Sequence, residues 1–130
     1  MGRIRRNHRL GVSSLERDAL KLTIVYLRLW KYCDVVLQES AKQTSSKFLE
    51  VTPIDRGALE KELSSTAQSK LGWADNSAEL RDEINDTLAL GRKPDKSETD
   101  YAVLSSYRES FQRKALEYSG ELRMVSGTHA

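Results

Sequence analysis

The chain is poor in the residues that build chemical sites. It holds one cysteine (Cys33), two prolines and two histidines in 130 residues. A lone cysteine excludes an internal disulfide, and a zinc site would need several Cys or His ligands. A single free thiol suits a reducing compartment, so the expected location is intracellular. The histidines, His8 and His129, lie close to the two ends of the chain and offer little general-base chemistry. No glycine-rich phosphate loop and no metal-binding motif occurs. The expectation is a protein that is not an enzyme and uses no cofactor or metal.

Long apolar runs are also missing. The most apolar stretch, residues 19–37, carries Lys21, Arg28, Lys31 and Asp34. Each charge at a bilayer centre costs about 2.5–3.5 kcal/mol, so this stretch is a poor span, and no membrane partner is expected. The opening arginines are not followed directly by an apolar h-region, so no secretory leader is expected and the chain reads as soluble. Arg6 stands where the myristoylation motif beginning Met1-Gly2 requires Ser or Thr.

What the sequence has in quantity is helical periodicity. Ser13 and Glu16 stand at capping-box spacing and predict a helix start there. Leu15, Ala19, Leu22, Tyr26, Leu29, Cys33 and Val36 follow at steps of four and three, one seam on one face. Leu20, Ile24, Leu27 and Leu37 widen that face, and Val25, Trp30, Tyr32 and Val35 carry apolar character nearly all round. Such a helix belongs at the centre of its domain and is expected to run to about residue 43. Thr52-Pro53 then starts a second helix, with Pro at the first helical position, and Leu71-Gly72-Trp73 reads as its C-cap. Its interior is weak, with Gly57 and Ser64-Ser65-Thr66 among Leu59, Leu63, Ala67 and Leu71. Asn76 and Glu79 begin a third helix that Gly91 and Pro94 stop; Leu80, Ile84 and Leu88 line one side of it. Ser97 and Asp100 begin a fourth, striped by Leu104, Tyr107, Phe111, Ala115, Tyr118 and Leu122, which ends at Gly120 or runs on toward Met124. The fold class is all-α, a bundle of about four helices. The expected organisation is a flexible Arg-rich arm over 1–12, the bundle over 13–122 and a loose tail over 123–130. Leu22, Tyr26, Leu29, Phe111 and Ala115 are the expected core.

Charge is unevenly distributed along the chain. Arg3, Arg5, Arg6 and Arg9 fall in the first twelve residues with no acid among them, whereas residues 50–90 hold nine acids against four bases. The arm can neutralise phosphates, which makes these four arginines the candidate RNA or DNA contacts. The plainer reading is a solvated terminus. Arg3 and His8 also stand at a spacing that resembles the Arg-x4-His motif of the HEPN ribonuclease family of helical bundles. The likeness covers six residues, and no activity is carried over from it. Glu79, Asp82, Glu83 and Asp86 form one acidic sector of the third helix, opposite Leu80 and Ile84, and read as a solvated or docking face rather than a metal site. The apolar surface of the first helix exceeds what the thinner second and third helices can cover. Trp30, Tyr32 and Val35 are therefore the expected protein interface, joined by the acidic sector. The functional expectation is a small helical interaction protein, a subunit or adaptor. It would dock through an apolar helical face onto another protein or a second copy of itself. The alternative is a nucleic-acid-associated subunit that uses the arm.

Overall fold

The computed structural model describes the backbone of residues 2–44, 56–69 and 77–127, with side chains over 17–39, 56–69 and 77–120. The described residues form four helices and no strand: α1 Gly2–Thr44, α2 Arg56–Gln68, α3 Ser77–Arg92 and α4 Glu98–Gly127. At 1.5 Å per residue the 43 residues of α1 extend roughly 65 Å. α1 and α4 lie antiparallel. Val36 and Glu39 share a pocket with Tyr101 at one end, Asp34 meets Arg108, and Tyr26 sits between Phe111 and Tyr118 further along. α2 and α3 pair with each other and both pack on α1; α3 also touches α4, and α2 does not. α1 is thus the central helix, as its broad apolar surface predicts.

The expected core is the observed one. Leu22, Tyr26, Leu29, Phe111 and Ala115 are all buried, together with Tyr32, Cys33, Val36, Leu63, Leu80, Ile84, Leu88 and Leu104. The aromatic rings pack along the α1–α4 seam: Tyr26 against Tyr118 at 5.8 Å between centroids, and Tyr107 against Phe111 at 5.4 Å. Offset pairs of this kind add about 0.5–1.5 kcal/mol beyond the area they bury. Burial pushes the Cys33 thiol up to about 12, so at neutral pH it is a protonated apolar filler.

The helix boundaries differ in part from the sequence signals. α4 starts at the predicted Ser97 and Asp100, and the structure makes the pair a reciprocal cap: the Ser97 amide donates to Asp100 Oδ2 at 2.9 Å, and the Asp100 amide donates to Ser97 Oγ at 3.1 Å. Ser13–Glu16, by contrast, is not a start. Helical backbone runs through it from Gly2, because the Arg- and Leu-bearing turns before it contain no proline and carry good helix formers. The segment expected as an arm is accordingly part of α1. α4 likewise passes Gly120 and reaches Gly127, taking in part of the expected tail. Thr52-Pro53, Leu71-Gly72-Trp73 and Asn76 lie outside the described residues.

Gly91 has a different role from the predicted helix stop. It has no positive φ and sits inside the last turn of α3. A Cβ built there would fall within 2.6 Å of Tyr32 Cε2 and Cζ. The absent side chain is what lets the Tyr32 ring approach α3 this closely.

Candidate interaction face

Two parts of the surface are built from convergent side chains. The first is a polar knot where α1, α2 and α3 meet. The Tyr32 hydroxyl donates to Glu60 Oε1 at 3.1 Å. Arg56 lies over the Tyr32 ring at 5.8 Å and bonds Glu60 at 3.1 Å, Glu39 at 2.5 Å and the Gly91 carbonyl. Arg92 adds a longer bond to the other oxygen of Glu60 at 3.3 Å. Burial, followed by the charge of Glu60, pushes the Tyr32 phenol up to about 12. The same hydrogen bonds, from Tyr32, Arg92 and Arg56, hold the Glu60 carboxyl below its ordinary range despite its partial burial. A polar hollow of about 270 Å³ opens beside the knot, lined by Glu39, Arg56, Arg92, Lys93, Lys96 and Tyr101. Its cations are largely engaged within the fold: Arg56 and Arg92 as above, Lys93 with Asp100 at 3.1 Å, and Lys96 with the Lys93 carbonyl at 2.8 Å. This end of the bundle is a clasp that pins α2 to α1 and α3.

The second is the outer side of the α1–α4 pair, which the α2–α3 hairpin leaves uncovered. Leu20, Ile24 and Leu27 follow one another at steps of four and three on α1 and are 46%, 37% and 49% exposed. Across the seam, Leu116 of α4 is 65% exposed. Between the helices runs a groove of about 220 Å³ lined by Thr23, Leu27, Trp30, Gln112, Ala115, Leu116 and Ser119. Its lining is mostly apolar, and a row of half-exposed Leu and Ile beside it is the kind of contiguous patch that marks a binding surface.

The predicted interface residues divide between these places. Trp30 lines the groove and is only partly buried. Tyr32 and Val35 do not lie at the surface as expected: both are buried within the chain. Tyr32 turns inward because its hydroxyl finds Glu60 and its ring finds the space at Gly91; of these two, only the glycine is conspicuous in the sequence. In the acidic sector, Glu79, Asp82 and Asp86 are exposed. Glu83 instead turns toward α4. It binds Lys114 at 2.9 Å and accepts from the Tyr26 hydroxyl at 3.4 Å, and Lys114 lies over the Tyr26 ring. Burial, reinforced by Glu83, raises the Tyr26 phenol far above its ordinary value. The side chains of Arg3, Arg5, Arg6 and Arg9 lie outside the described residues. In the sequence Leu20, Ile24 and Leu27 widen the core face of the first helix, and Leu116 lies off the predicted stripe of the fourth. An i, i+4, i+7 row on the side of α1 opposite Leu22 and Leu29 was the available signal.

Among the described residues, no three His, Cys, Asp or Glu side chains group to hold a metal ion, and no helix is long and apolar enough to cross a membrane. Among the described residues, fold and surface together define a small all-α bundle with an open apolar groove. No family model, no curated protein and no solved structure matches the chain.

Proposed function

We propose that this chain is a non-enzymatic interaction subunit that docks another protein through the outer α1–α4 face. The observation that carries the reading is the row Leu20, Ile24 and Leu27 beside Leu116, four large apolar side chains left in water around a groove. Covering such a row returns the apolar contribution of about 25 cal/mol per Å² that folding alone leaves unused here. The spacing suits helix-in-groove recognition, in which a partner helix lays its own apolar stripe between two others. The one thiol is buried and protonated, and the prominent carboxylates and cations tie helices together.

A tagged pull-down from the native source, with and without nuclease, tests the reading. The expected result is a protein partner that survives nuclease and is lost with Leu27→Asp/Leu116→Asp. Light scattering of the native assembly should show a species larger than 14.8 kDa. A monodisperse monomer without a partner, or a partner indifferent to that double variant, would remove the support for this face. A complex abolished by nuclease would favour nucleic-acid contact through the Arg-rich first turns instead.

A further inference from the structure

We propose that the occupant of the outer α1–α4 face is an acidic amphipathic helix of another protein; this inference rests on the docking reading above. Between residues 17 and 31 the outward strip of α1 carries Arg17, Lys21, Arg28 and Lys31 around Leu20, Ile24 and Leu27; Asp18, the one acid in that stretch, falls on the side of the helix away from this row. Arg28 is tied to Glu62 of α2 at 3.0 Å, which anchors that edge of the strip to the bundle. The α4 flank, with Glu109, Arg113 and Glu117, contributes only one more acid than base. The face as a whole is therefore an apolar groove with a cationic rim, and its electrostatic complement is an apolar stripe bordered by Asp and Glu.

Other occupants fit less well. A second copy seated α1 on α1 would set Arg17, Lys21 and Lys31 against their own kind, and like charges in register are destabilising. A nucleic acid would satisfy the rim and leave Leu20 and Leu116 against a charged backbone. An anionic bilayer could attract the bases, but interfacial helices present a convex apolar face with the bases set apart from it. Here Lys31 falls within the apolar row itself, and the apolar surface is concave at Trp30, Ala115 and Leu116. A groove between two helices takes side chains that project at fixed spacing, which a helix supplies.

A displayed library of about 20-residue amphipathic helices provides the test, with Leu and Ile fixed at i, i+4 and i+7 anchor positions and the flanks randomised among Glu, Lys and Gln. It is selected on the full chain and counter-selected on Leu27→Asp/Leu116→Asp. The expected winners are Glu-rich at the flanks, weaken at least about tenfold between 50 and 300 mM salt, and weaken at least about tenfold on Lys21→Glu/Lys31→Glu. With Trp73→Phe leaving Trp30 as the sole tryptophan, their binding should shift its emission. Winners that are Lys-rich or without charge bias would overturn the acidic partner and leave the docking reading standing. No clone enriched over the double variant would overturn both. Binding of the full chain to phosphatidylserine vesicles without any enriched clone would replace the helix with a lipid surface. A dimer in sedimentation that Leu27→Asp/Leu116→Asp disperses would replace it with a second copy.

Discussion

The two sides of α1 are alike in sequence and opposite in fate. On one side Leu22, Tyr26, Leu29, Cys33 and Val36 are sealed under three other helices; on the other Leu20, Ile24 and Leu27 stand in water beside Leu116. Both rows step by threes and fours, so periodicity predicts a helix and two apolar faces without saying which one the chain covers. The choice is made by where the α2–α3 hairpin lands, and that is decided by the clasp of Tyr32, Arg56, Glu60 and Gly91. The inner side has the contacts of a core, and the outer side has those of an unfilled interface.

The largest expected effect contrasts the two rows directly. Leu29→Ala should cost roughly 2–5 kcal/mol in urea or thermal unfolding, since it empties a fully enclosed site. Leu116→Ala should stay within about 0.5 kcal/mol. Equal costs would mean that the outer row is part of the core.

The helical glycines give the next contrast. Gly91→Ala forces a Cβ into the Tyr32 ring, whose hydroxyl is held by Glu60, and should cost about 1–3 kcal/mol. A Cβ at Gly120 meets nothing within 4 Å, so Gly120→Ala should stabilise the chain by about 0.5–1 kcal/mol through helix propensity. Calorimetric melting of both variants checks the pair; a harmless Gly91→Ala would show that the ring is free to move.

How much of this was legible follows from the same residues. The Ser97–Asp100 box and the stripes through Tyr26 and Phe111 are local patterns, and the structure repeats them. The Ser13–Glu16 spacing is equally local, but a capping box is only one option for the backbone. Helical turns before it supply the hydrogen bonds a cap would replace. The inward turns of Tyr32 and Glu83 depend on long-range neighbours (Glu60, Gly91 and Lys114 among them) that no window of sequence brings together.

A smaller effect is expected from pH. The Glu60 and Asp100 carboxyls are held below their ordinary values of 4.5 and 3.8, so the folded state binds their protons less readily than the unfolded chain. Their contribution is complete above the unfolded values and is lost as pH falls through the folded ones. Stability should therefore hold from about pH 5 upward and decline below about pH 4, with Glu60→Gln flattening part of that decline. An unchanged acid limb in Glu60→Gln would remove the clasp from the account. The smallest effect of all is expected for Leu27→Asp/Leu116→Asp, which should leave the melting temperature of the isolated chain nearly unchanged while abolishing docking.

The central claim is that the outer α1–α4 face, and not another part of the surface, meets a partner. Site-specific photo-crosslinking in the native source tests it most directly, with the photoreactive residue at Leu116 in one protein and at the exposed Ala89 of α3 in another. The account predicts a discrete higher-mass adduct from position 116 and none from position 89. Adducts from position 89 alone, or from both positions equally, would contradict it.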